Sequence, residues 1–229
     1  MGRKTLVGSL FLLSATILVF EFSSLDMYLQ HFLYNSLSQH WTVDASDPLW
    51  RNIFYVYPKK LIFLFAAVIA SFGVYWWKKK THLEWRRGCV RVLLSLTTVV
   101  LLAIGGKEVT RVHCPNALKE FGGAAPYVKL LEKYPSDYND KRGNCFPAGH
   151  ASGGFALFSL YFLFRQKKYQ RLGWAIGFVL GWAMGGYQML KGAHFLSHTL
   201  VTMFLSLVLI SAIHLALERS ENHHQASTP

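Results

Sequence analysis

Six separated apolar runs constrain this chain more than any other feature. They fall at about residues 5–20, 61–77, 90–104, 151–164, 172–188 and 196–217. About 20 apolar residues wound as a helix cross the hydrocarbon of a bilayer. Inside that hydrocarbon a helix satisfies every backbone polar group within itself. The expected fold class is therefore all-α, an integral membrane bundle of six transmembrane helices in a single domain over residues 1–217. The chain is 52% hydrophobic and 15% aromatic, too apolar for an ordinary soluble domain of this length. The first run follows Arg3 and Lys4 and has no small-x-small cleavage pattern leading into a soluble domain. It reads as a retained first helix rather than a signal peptide. Residues 218–229 read as a disordered cytoplasmic tail.

The net charge of +12 would suggest a nucleic-acid partner in a soluble protein. Here the basic residues sit at the membrane boundaries, which argues against one. Lys78, Lys79, Lys80, Arg86, Arg87 and Arg91 lie between runs two and three, and Arg165, Lys167, Lys168 and Arg171 between runs four and five. Short loops rich in Lys and Arg stay on the cytoplasmic side, with Trp and Tyr anchoring the interface. The expected placement is a multi-pass protein of the inner (cytoplasmic) membrane. Both termini are cytoplasmic and three loops face the periplasm or exterior.

The first outer loop contains "DPLWRNIFYVYP". Asp47 is a plausible cap and Pro48 suits the first helical position, so a short interfacial helix is expected there. Three polar segments converge on the outer side in this topology. They are "KEVTRVHCP" from Lys107, "CFPAGH" from Cys145 and "KGAHFLSH" from Lys191. Histidine near neutral pH serves as nucleophile or proton donor, and lysine or arginine holds phosphate oxygens. Pro147 puts His150 in the first turn of a helix, where free N–H groups and the helix dipole favour an anion. Gly149 allows close backbone approach. His194 and His198 stand four apart on one helical face, a spacing that also suits zinc. Neither short histidine segment holds an acidic residue and no HExxH pattern occurs, so no metal and no cofactor are expected.

At these residues the chain resembles the PAP2 superfamily, the type 2 phosphatidic-acid phosphatases, whose members are six-helix membrane enzymes. Their pattern is Lys, six residues and Arg-Pro, then Pro-Ser-Gly-His, then Ser-Arg, five residues, His, three residues and Asp. Here Lys107 is followed after six residues by Cys114-Pro115. The second part is Pro147-Ala148-Gly149-His150, and the third is Tyr187-Gln188, five residues, His194, three residues and His198. The resemblance implies that His194 attacks phosphorus, that His150 protonates the leaving oxygen, and that Lys107 binds phosphate oxygens. A phosphohistidine then divides one displacement into two.

Three charged positions of the motif depart from the family. Cys114 and Gln188 stand where it has arginines, and His198 where it has the aspartate that orients the nucleophile. Arg111, Arg142 and Lys191 are the cations nearest in sequence, with Arg142 or Lys191 the expected substitute. A neutral His198 can still accept a hydrogen bond from His194 and fix its tautomer. An alternative register makes His198 the nucleophile and Thr202 its orienter.

Cys114 and Cys145 both fall in the outer loop before the fourth run. An oxidising outer compartment permits a disulfide between them. The expected function is hydrolysis of a phosphate or diphosphate monoester on a lipid, with the bilayer and that lipid as partners. Transfer to an acceptor other than water is the related possibility. A non-enzymatic transporter or scaffold, with the histidines as metal ligands or pH sensors, is the reading from another class.

Overall fold

The computed structural model describes residues 2–138 and 143–226. Its helices are α1 (Arg3–Glu21), α2 (Leu25–His31), α3 (Pro48–Arg51), α4 (Tyr57–Lys79), α5 (Leu83–Thr110), α6 (Gly149–Ala156), α7 (Lys167–Leu190) and α8 (Leu196–Ala226). A helix stands at each of the six expected places. Among the described residues, four stretches are long and apolar enough to cross a membrane: Arg3–Glu21, Pro48–Lys79, Leu83–Ala117 and Leu196–Asn222. The fourth run is a short α-helix, α6, continued by the 3₁₀ turn Leu157–Leu163. In α7, Gly173, Gly177, Gly181 and Gly185 are buried, glycines where a lipid-facing helix would carry larger apolar side chains.

Polarity is distributed as a bilayer requires. Phe11, Leu61, Phe63 and Leu101 stand exposed on α1, α4 and α5, while Ser95, Ser152, Ser159, Thr199, Thr202 and Ser206 are buried. In water these apolar faces would form a patch far beyond what a monomeric soluble protein exposes. The chain is a membrane protein.

The core gathers around α6. Ala151, Phe155, Ala156 and Phe158 pack against Val92, Leu96 and Val99 of α5 and Ile210 of α8. Small residues permit this approach in a bundle that has no aqueous hydrophobic drive. A Cβ on Gly154 would lie 2.6 Å from the backbone of Gly181, so the two helices touch backbone to backbone.

The expected cap before α4 is present: Asp47 accepts from the Leu49 N–H at 2.8 Å. The segment is not, however, a separate interfacial helix. It runs through the π-helical residues Asn52–Val56 into α4 as one 32-residue helix, Pro48–Lys79. Pro58 has no N–H to give to Phe54, and the π turn just before it absorbs the break. The segment between α1 and α3 also contains α2 and a hairpin, β1 (Tyr34–Asn35) against β2 (His40–Trp41), with Tyr34 opposite Trp41. Helix α8 continues through residues 218–226, which the sequence reading assigned to a disordered tail. Its Glu221 pairs with Arg91 at 2.9 Å and Arg87 at 3.3 Å.

Helix direction alternates, so both basic turns, at 80–82 and 164–166, lie at one end with the start of α1 and the end of α8. The opposite end receives the loops after α1, α5 and α7.

Candidate functional site

The α7–α8 turn presents the first histidine pair. Gln188 ends the last buried turn of α7, and its carbonyl accepts from the N–H groups of Ala193 at 2.8 Å and His194 at 3.2 Å. Gly192 has φ +73°, and a Cβ there would fall 2.3 Å from the Trp41 ring. Left-handed backbone and the close indole together require glycine. Gln30 Nε2 donates to the Met189 carbonyl at 3.1 Å, and the Asn116 N–H donates to the Gly192 carbonyl at 2.8 Å. The segment between α1 and α3 thus roofs the turn that carries His194.

His194 and His198 are 3% and 2% exposed. Their Nδ1 atoms lie 3.4 Å apart, and Nδ1 of His194 lies 3.5 Å from Cys145 Sγ. His198 is hydrogen-bonded to the Cys145 backbone and stands edge-on to Phe146 and Phe195. Burial, reinforced by His198 and then Lys107, holds His194 well below the usual histidine range. It is a neutral imidazole with a nitrogen lone pair available. The expected disulfide is formed: Cys114 and Cys145 are bonded. It joins the end of α5 to the start of α6.

Helix α6 carries His150. Thr202 Oγ1 accepts from the Ala148 N–H at 2.8 Å and donates to the His198 carbonyl at 2.6 Å. The hydroxyl that would orient His198 in the alternative register is therefore engaged with backbone, fixing the start of α6 against α8. The His150 ring lies 4.3 Å from that of Tyr55, and its Nδ1 is buried without a hydrogen-bond partner among the described residues. A Cβ on Gly149 would meet Lys107 Cε at 3.1 Å and Nζ at 3.3 Å. Glycine at this position leaves the lysine its place beside the first turn of α6. Lys191 Nζ lies 4.9 Å from the Tyr187 ring centre and 5.5 Å from that of Tyr55. Burial and the Arg51 charge lower Lys191 below the usual lysine range.

Lys107 and Lys191 are charge neighbours of both His150 and His194, and Lys59 of His150. His150, His194, His198, Lys107, Lys191 and Gly149 are thus brought together at one end of the bundle. Arg111 stands apart. It is exposed, and its guanidinium folds back to donate to the Glu108 carbonyl at 3.1 Å. Arg142 lies outside the described residues. The added cation is Lys59 of α4, which with Tyr55 was absent from the sequence reading. Gln188, at the arginine position of the third motif, is 2% exposed with its Nε2 unpartnered among the described residues.

Asp26 was also missed. Its carboxylate accepts from the Ser197 N–H at 3.0 Å and from the Ser197 hydroxyl. That caps the helix carrying His198. No local pattern announces it, because the residues it serves lie far along the chain.

A cavity of about 540 Å³ runs between α4 and α5. Ile62, Phe63, Ala66, Leu96, Val100 and Leu101 line its length, and Lys59, Lys107, Gly149 and His150 its polar end.

The family model of the PAP2 superfamily matches residues 88–221. The chain belongs to the PAP2 superfamily. The match runs from the start of α5 to the last turns of α8, so all three motif segments fall inside it. No curated protein and no solved structure matches. PAP2 proteins are in general phosphatases, and a neutral His194 beside Lys107, Lys191 and His150 suits that chemistry. Cys145, His194 and His198 also offer atoms within 4.8 Å of one another that could hold a metal ion, although in the disulfide the sulfur is not a thiolate.

Proposed function

We propose that the protein is a lipid phosphatase acting at the outer face of the cytoplasmic membrane through a phosphohistidine. The observation that carries this reading is the cavity between α4 and α5. It is apolar along its length and cationic where His150 stands. That is the polarity of one acyl or prenyl chain ending in a phosphate. The cationic end lies opposite the two basic turns, so the positive-inside rule sets it outward. A disulfide at the same end fits an oxidising compartment.

The chemistry follows from the ring nitrogens. His194 Nδ1–H donates to His198 Nδ1, leaving Nε2 with the lone pair that attacks phosphorus. As the N–P bond forms, the bond from phosphorus to the lipid oxygen breaks. His150 gives that oxygen a proton. Lys107, Lys191 and Lys59 hold the non-bridging oxygens, compensating for the two absent arginines. Their charge is worth most in the transition state, where negative charge accumulates away from water. Water, deprotonated by His150, then attacks the phosphohistidine and releases inorganic phosphate.

The test is phosphate release in detergent from phosphatidate and from a prenyl diphosphate, compared with p-nitrophenyl phosphate. Wild type should prefer the lipids. His194→Ala and His150→Ala should lose about 10³-fold or more, as when a member of a nucleophile–acid pair is removed. Rates equal to wild type in His194→Ala would end the assignment. Protein quenched in alkaline detergent should carry base-stable, acid-labile phosphate on His194. An added alcohol that captures the phosphate would show transfer in place of hydrolysis.

A further inference from the structure

Phosphate transfer uses the His194–His198 contact but leaves unexplained the disulfide sulfur that lies beside it. Cys145 Sγ lies 3.5 Å from His194 Nδ1, and that nitrogen lies 3.4 Å from His198 Nδ1. All three residues are buried, and each offers one ligand atom within 4.8 Å of those of the other two. Tetrahedral zinc holds thiolate sulfur at about 2.3 Å and imidazole nitrogen at about 2.0–2.1 Å, which sets a sulfur–nitrogen edge of about 3.6 Å and a nitrogen–nitrogen edge of about 3.3 Å. Two edges of that tetrahedron are therefore already in place. The obstacle is covalent: Cys145 Sγ is bonded to Cys114, and a metal needs the thiolate.

We propose that the Cys114–Cys145 bond masks a latent site for a soft divalent cation, zinc being the fitting case, which opens when a dithiol reduces it. One thiolate of the dithiol attacks the Sγ of Cys114, the less buried of the two residues, and Cys145 leaves as a thiolate. The second thiolate of the dithiol then attacks the mixed disulfide. Cys114 is released as a thiol and the dithiol ends as a cyclic disulfide, two electrons having passed to the protein. Cys145 Sγ, His194 Nδ1 and His198 Nδ1 each donate a lone pair to the cation, with both rings as Nε2–H tautomers. The fourth position stays open. A cleft of about 40 Å³ lined by Glu21, Asp26 and His198 has room for a small ion or water, and its two carboxylates attract a cation.

The consequence for catalysis rests on the proposed function. With zinc on Nδ1, the proton of His194 sits on Nε2, so the nucleophilic lone pair is gone. His198 no longer accepts from His194. The oxidised chain is then the active form, and reduction in the presence of zinc switches it off. Replacement of the family's aspartate by His198 supplies the second nitrogen ligand.

The experiment reads metal directly, whether or not any phosphate is hydrolysed. Full-length protein in detergent is exposed to zinc chloride, passed through a desalting column and assayed for zinc. Cobalt(II) serves as the spectroscopic probe. Oxidised wild type should retain no zinc. Cys114→Ser, which frees Cys145 without reductant, should retain about one zinc per chain and give the cobalt–thiolate charge-transfer band. Dithiol-treated, desalted wild type should behave alike, which covers the case where the variant folds poorly. The double variant Cys114→Ser/Cys145→Ser should lose both signals. Zinc retention that persists without the thiol, or none in reduced wild type and Cys114→Ser alike, overturns the proposal. Failure of the phosphatase assay alone leaves the metal result readable.

Discussion

Asp26 and Ser197 are 171 positions apart, yet the carboxylate of one holds both the backbone N–H and the hydroxyl of the other. Through that cap a residue of α2 sets where α8 begins, and so where His194 and His198 point. Burial is the larger influence on Asp26 and raises its pKa to about 6, while the Ser197 bonds oppose the rise. Glu21, Tyr127 and Lys129 share its cleft.

A pH dependence of stability follows from Asp26. Its folded pKa lies above the unfolded value of 3.8, so between these values the folded state binds the extra proton. The contribution is complete below pH 3.8 and is lost as pH rises through 6, a difference of about 3 kcal/mol. Thermal unfolding in detergent should show this component in wild type, and Asp26→Asn should remove it. The same slope in both proteins would clear Asp26 of the effect.

Gly149→Ala tests the seat of Lys107. The added methyl would stand 3.3 Å from the ammonium nitrogen, and a flexible lysine yields rather than the helix. Activity on lipid phosphate should fall about tenfold, the loss of one charge-assisted hydrogen bond. Melting temperature should hold. Gly154→Ala is the contrast: its methyl meets Gly181 backbone at 2.6 Å, and overpacking of about 1–3 kcal/mol should lower the melting temperature instead.

Lys59 and Lys191 are predicted to replace the absent arginines. Each alanine variant should raise KM for lipid phosphate about tenfold, and the double variant more, with the melting temperature little changed. Lys59→Arg should recover most of the loss. A Lys59→Ala enzyme with wild-type KM would remove that lysine from the phosphate site.

Gly192→Ala should be severe. A non-glycine residue at φ +73° is strained, and the methyl would be driven into Trp41 at 2.3 Å. The strain alone is about 1–2 kcal/mol, and the clash displaces the turn holding His194. Yield and melting temperature should fall together, with activity lost ahead of unfolding.

The apolar runs, the basic turns and the three motif segments were legible before any fold was known. Each is a local property: a bilayer selects helices by composition over about 20 residues, and a motif's spacing is written along one strand of chain. The histidines, Lys107 and the cysteine pair could be named for the same reason. Asp26, Tyr55, Lys59 and Trp41 could not. They act across the bundle on residues distant in sequence, and no periodicity encodes which helix end a loop will cover. Arg111 shows the converse error, since closeness in sequence to the motif left its side chain on the rim, bonded to the Glu108 carbonyl. Local composition therefore decided that this chain enters a membrane and which motif residues it carries. Packing of α4, α6 and the loops after α1, α5 and α7 decided which cations face the histidines, because side-chain proximity across a bundle depends on how whole helices meet.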